Sequence, residues 1–186
     1  MNMVSSSDND ACSPKLNSSD VFFEFGSSSV LRSNKNDASD DVEEAALDDD
    51  WDSVNQNFEQ DPELMTKQIN HLGETPLIIA VGTNLSHRFV QNLVEHIVTV
   101  GDADELWVTS YGGSNALHNV AKVGNTIDAK LLVVQNLDMT RDQNHDGYTP
   151  LALVVFHGNQ ETLDYLLTVT MDLVPEEKGS SLYTVV

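Results

Sequence analysis

The segment Asp142-Gln143-Asn144-His145-Asp146-Gly147 has the residue types and spacing that open a calcium loop, with oxygen donors at alternate positions and a glycine sixth. The chemistry would be coordination of a hard cation, completed by a bidentate glutamate at the twelfth position. That position is Leu153, and Pro150 already starts an apolar helical run. The segment therefore reads as a polar turn ahead of a helix. Six histidines raise a second possibility, a transition metal or a catalytic base. No His-Glu-x-x-His sequence occurs, and His87 and His96 are too far apart to pair on one helical face. Gly112-Gly113 is too short to cradle phosphate, and no nucleophile elbow or dinucleotide fingerprint is present. The carboxylates crowd polar stretches, where burial does not tune them for acid–base work. The expectation is a protein without catalytic, cofactor-binding or metal-binding residues, and not an enzyme.

The elements that carry these residues repeat. Gly73-Glu74-Thr75-Pro76-Leu77 returns as Gly113-Ser114-Asn115-Ala116-Leu117 and again as Gly147-Tyr148-Thr149-Pro150-Leu151. The steps are 40 and 34 residues. Gly73 and Gly147 suit the left-handed tip of a turn. Thr75 and Thr149 can cap the helix that follows, and Pro76 and Pro150 fit its first position. Short apolar helices start at Leu77, Leu117 and Leu151, and Gly124 and Gly158 end the last two. Second helices follow around 89–98, 127–132 and 163–167, with paired leucines near their ends as a spine. Residues around Asn84-Leu85-Ser86 and 101–105 read as insertions that stretch the first period.

This phrase at a period near 33 resembles the ankyrin repeat. The implied fold is an all-α ankyrin-repeat solenoid of about three helix-turn-helix repeats. Trp51 to Leu64 reads as one more helix, ended by Asp61-Pro62, with Ala45-Ala46-Leu47 as the stub of a partner; together they form an N-terminal capping half-repeat. The resemblance also places His118 where a histidine ring bonds backbone between neighbouring repeats. Asp50-Trp51, Asp61-Pro62-Glu63-Leu64, Gly73-Glu74-Thr75-Pro76-Leu77 and Phe89-Val90-Gln91-Asn92-Leu93-Val94 are, moreover, similar to a large plant family. In that family cytosolic ankyrin repeats precede a C-terminal membrane segment, the PGG domain. The resemblance runs from about 45 to 173 and implies stress or defence signalling. Nothing after Leu173 resembles that membrane domain, so the expectation is a natural short form, a truncated gene product or an incomplete gene sequence. No run reaches the roughly 18 apolar residues that a spanning helix needs, so no membrane insertion is expected.

The boundaries read from composition are an acidic, Ser/Asn-rich disordered arm at 1–44, the repeats at 45–173, and a polar tail at 174–186. The formal net charge is −21, with 9 Lys and Arg against 30 Asp and Glu. Such a chain repels nucleic acid and anionic lipid and attracts a basic protein, if the charge serves more than solubility. Cys12 is alone, and no signal peptide opens the chain, so the expected location is cytoplasmic. Val21-Phe22-Phe23-Glu24-Phe25 reads as an acidic-hydrophobic docking segment or a chance apolar patch. The last residues, Tyr183-Thr184-Val185-Val186, weakly match a strand-adding C-terminus.

The expected function is a protein–protein interaction module. Its contact residues are the hairpin tips His71, Leu72, Tyr111 and His145, with Thr83, Lys122, Val123, Phe156 and His157 late in the first helices. Tyr111 and Phe156 are the expected anchors. The alternative is a nuclear regulator, with the acidic arm as an activation or docking segment and the repeats as a tether. The last helix, from Leu163 to Leu173, carries little charge, so the C-terminal repeat is expected to be uncapped and prone to self-association.

Overall fold

The computed structural model describes residues 38–100 and 103–171, which are helices and turns. Four helix pairs succeed one another: α1 (Ala38–Asp48) with α2 (Trp51–Gln60), α3 (Pro76–Thr83) with α4 (His87–Val100), α5 (Ala116–Val123) with α6 (Thr126–Gln135), and α7 (Pro150–His157) with α8 (Gln160–Met171). The first helices α1, α3, α5 and α7 stack in order as an inner layer, and the second helices form an outer one. Short 3-10 turns at Pro62–Met65, Ala103–Trp107 and Leu137–Thr140 lead from each outer helix to the next hairpin. This is the ankyrin-repeat solenoid.

The repeated phrase sets each pair. Thr75, Asn115 and Thr149 stand just ahead of the inner helices, and their side chains accept bonds from the N–H of Ile78, His118 and Ala152. Each satisfies an orphan donor, which is worth about 1 kcal/mol. Gly124 and Gly158 end their helices in the left-handed conformation, as the spacing predicts. Asn84 takes the same conformation at the end of α3, with φ 56°. The residues read as an insertion there thus begin with an ordinary helix terminus, because asparagine tolerates the left-handed region.

Apolar side chains at helical spacing fill the joints between pairs. Phe58, Phe89, Leu93, Leu132 and Leu166 are buried to 1% exposure or less. The paired leucines divide their roles: Leu132 and Leu166 are buried, whereas Leu131 is half-buried and Leu167 exposed. Adjacent helical residues point about 100° apart, so only one of each pair can face the spine.

The N-terminal element departs from the expected half-repeat. It is a complete pair, with α1 an 11-residue helix rather than a stub. Val42, Ala45 and Ala46 follow i, i+3, i+4 spacing and are buried, in a helix that packs against both α2 and α3. Asp40 and Asp41 lie in the first turn, where carboxylates favour the helix dipole. Residues 38–44 of the segment read as an arm are therefore helical. Their charge hid three small apolar contacts, enough for a helix that has a neighbour. The Val21–Phe25 segment, Cys12 and the tail beyond Met171 lie outside the described residues.

At the other end, Val155 of α7 is 61% exposed, whereas Ala121, its counterpart one repeat earlier, is 0%. Ala121 is covered by the pair that follows it. Leu167 and Met171, one turn apart on α8, are exposed as well.

The hairpin tips carry a measurable consequence. Gly113 has φ +74°, and a Cβ there would meet the His145 ring at 2.7 Å and the His145 amide nitrogen at 3.0 Å. Gly147 has φ +79° but open space around it. Gly147→Ala should cost about 1 kcal/mol from backbone conformation alone. Gly113→Ala should cost roughly twice that or more, since its Cβ also meets backbone. Equal denaturation midpoints for the two variants would contradict this packing.

Candidate partner-binding groove

The tips hang one on the next. The Tyr111 N–H donates to Leu72 O, and one repeat later the His145 N–H donates to Gly112 O, both at 3.0 Å. Asn70 and Asn144 organise the first and third tips, each side-chain oxygen accepting two backbone N–H groups nearby. The Asn144 oxygen is thereby committed to the turn. Asp142 Oδ2 accepts from Asn115 Nδ2 at 2.9 Å. The calcium-like segment is a hairpin whose polar atoms hold the repeat together, and among the described residues no three metal-ligating side chains converge.

Between the tips and the inner helices runs a groove of about 460 Å³. Tyr111 and Phe156 stand in it with 64% and 78% of their surfaces exposed. Six of the nine residues expected to make contact meet here: His71, Leu72, Tyr111, Lys122, Phe156 and His157. Thr83 lies in an adjoining hollow of about 310 Å³ that shares His71, Leu72, Glu74 and Asn119 with the groove. Its hydroxyl donates to Ala80 O at 2.9 Å. Val123 is half-buried outside the lining, and the His145 ring lies over Gly113.

The floor of the groove was not legible in the sequence. Asn119 and Leu153 line it, two residues after Leu117 and Leu151, and Lys122 and Phe156 follow three residues further on. Positions three apart share a helix face. Asn119 is held by donating to Ile78 O and accepting from Lys122 Nζ, both at 3.2 Å. Superposing the three repeats on their leucines exposes this register, which residue types alone did not. Tyr148, next to the third tip glycine, was missed for the same reason.

The groups with shifted pKa lie in the joints between repeats. His118 is fully buried, and its Nε2 donates to Tyr148 O of the next repeat at 3.0 Å, as the ankyrin resemblance implies. Its Nδ1 accepts from the Asn115 N–H at 3.2 Å and closes a capping box. Burial pushes its pKa below the usual 6.5, opposed by the Tyr148 carbonyl and Asp142. Burial raises the Asp128 carboxyl, opposed by His87, whose Nδ1 stands 3.2 Å away. Burial likewise raises Tyr165. These are arrangements of packing, and none lines the groove.

No family model matches the chain, and no curated protein matches it. Among solved structures, a chain from the crystal structure of the yeast ribosomal protein Rps3 in complex with its chaperone Yar1 is similar, with a TM-score of 0.66 and 22% identity. The match covers 75% of this chain and 96% of that one. At that identity the likeness is one of fold. Among the described residues no helix is long and apolar enough to cross a membrane.

Proposed function

We propose that this chain is a protein-binding module whose partner lies in the groove between the hairpin tips and the inner helices. The observation that carries the reading is the pair Tyr111 and Phe156, two large aromatic side chains exposed on adjacent repeats beside a floor in which Asn119 is fixed by hydrogen bonds. Large apolar side chains left exposed in a concave surface mark contact sites, and aromatic residues dominate binding energy there. The solved relative comes from a complex between two proteins, which accords with this use of the fold.

The plant family resemblance remains part of the proposal, with stress or defence signalling as its setting. The motif residues that carry it are architectural. The Asp50 side chain accepts from Ser53 N to cap α2, and Trp51 packs its ring 5.6 Å from Phe89. They serve the repeat architecture and carry no information about a shared partner.

The test is proximity labelling in plant cells with the full chain, the Tyr111→Ala variant and the Phe156→Ala variant. Each substitution should cost about 1 kcal/mol or more of partner affinity, roughly fivefold, and deplete the same labelled proteins. Labelled proteins that bind both variants as tightly as the parent would refute the groove. An arm deletion run alongside must stop at residue 37, since a cut at 44 removes most of α1.

A further inference from the structure

The groove and its adjoining hollow differ in character. The α5–α7 half presents Tyr111, Tyr148, Leu153 and Phe156, with Lys122 and Asp146 as a base and an acid of its own, and it shares Glu74 with the hollow. The α1–α3 half presents Glu43 and Glu74, and neither Lys nor Arg lines it. Asn70 holds both carboxylates, donating to Glu74 Oε2 at 3.0 Å and to Glu43 Oε1 at 3.5 Å. Asp40 lies on the same face of α1, one turn before Glu43. The five bases among the described residues do not offset this end. Arg88 pairs with Asp52, Arg141 with Asp138, and Lys130 sits over the Tyr165 ring. Lys122 is at the far half, and Lys67 lines neither hollow.

We infer that the groove takes a bipartite protein segment, with an aromatic or branched aliphatic anchor over α5–α7 and a pair of Lys or Arg residues over α1–α3. The inference rests on the protein-binding reading above and adds the partner's chemistry and direction. Charge complementarity supports it at two scales. Among the described residues no Lys or Arg lies against the local carboxylates, and the net charge of −21 draws a cationic chain from a distance. The same charge disfavours nucleic acid and anionic lipid as occupants. Inner helices pack roughly 8–10 Å apart, so the middles of the two halves are separated by roughly 16–20 Å, with Glu74 between them on the wall they share. An extended segment spans that in about five or six residues.

The experiment is selection of a random 16-residue peptide library, displayed on phage, against the full chain. The expected product is a set of peptides with two basic residues about five or six positions from an aromatic or aliphatic one. Their affinity should fall at least about fivefold in Phe156→Ala. In Glu43→Gln/Glu74→Gln it should fall about threefold or more at low salt, with a shallower salt dependence than the parent shows. Peptides that need Phe156 but carry no basic residues, or ignore the glutamine pair, would overturn the bipartite chemistry while leaving the module intact. Failure to enrich any peptide, or enrichment of peptides indifferent to Tyr111→Ala and Phe156→Ala, would overturn the groove itself.

Discussion

Phe89→Ala should lower stability by about 3–5 kcal/mol, a large part of what a domain of this size possesses. Phe89 is fully buried at the joint between the first two helix pairs. Its ring meets Trp51 edge-on at 5.6 Å and Phe58 at 6.4 Å, and its N–H donates to Asp49 Oδ1 at 2.7 Å. Removing the ring leaves a cavity that two other aromatics cannot fill without leaving their rotamers. The thermal midpoint should drop on the order of 10 °C. Phe156→Ala provides the contrast, since its ring is exposed and its loss should change stability by less than about 0.5 kcal/mol. If the two variants melt within about 2 °C of each other, the aromatic joint does not hold the N-terminal pair in the stack.

The second large effect lies at His118. His118→Ala leaves the Asn115 N–H and the Tyr148 carbonyl without their partner in a buried joint, and should cost about 2–4 kcal/mol. His118→Gln should recover part of this, because its amide can donate to the Tyr148 carbonyl. The imidazole also carries a signature in pH. Its pKa in the folded chain is below 6.5, so between those values the unfolded chain holds a proton that the folded chain lacks. Stability therefore falls as pH drops below about 6.5 and is regained as pH rises through that range. Asp128, raised from 3.8, acts in the opposite sense in a lower window. Melts at about pH 7.5 and 5.5 should show a larger acid loss for the parent than for His118→Gln. Equal losses would mean that His118 is protonated in the folded chain.

The fold was legible where backbone chemistry is local. Thr75, Pro76 and Leu77 announce a capped helix whatever surrounds them, and Gly124 and Gly158 end one. The first helix was not legible. Val42, Ala45 and Ala46 are small, and their acidic neighbours resemble the composition of an unfolded arm. Only the packing of α1 against both α2 and α3, the latter distant in sequence, makes those three residues sufficient. The groove was half legible for a related reason. Exposed aromatics such as Tyr111 and Phe156 stand out by type, whereas Asn119 and Glu74 gain meaning from the helix face or tip that they share with their counterparts. His145 and Tyr111 share a role that their types did not reveal: each is exposed, and each ring lies over a glycine of the preceding hairpin, Gly113 and Gly73.

The exposed face at Val155 bears on how the groove is occupied. The far wall of the groove, Leu153, Phe156 and His157, belongs to a helix pair whose apolar contacts, among the described residues, come from one side. In a stack stabilised by nearest-neighbour interfaces, such a pair opens more readily than those enclosed on both sides. A partner seated across α5 and α7 adds contacts that the open pair lacks. Where the described contacts are the only ones, part of its binding energy goes to holding the α7–α8 pair closed, and the measured affinity is lower than the contacts alone would give. Substitutions that secure α7 and α8 from behind would tighten binding without touching the partner, so recognition and local folding form one equilibrium at this end of the molecule.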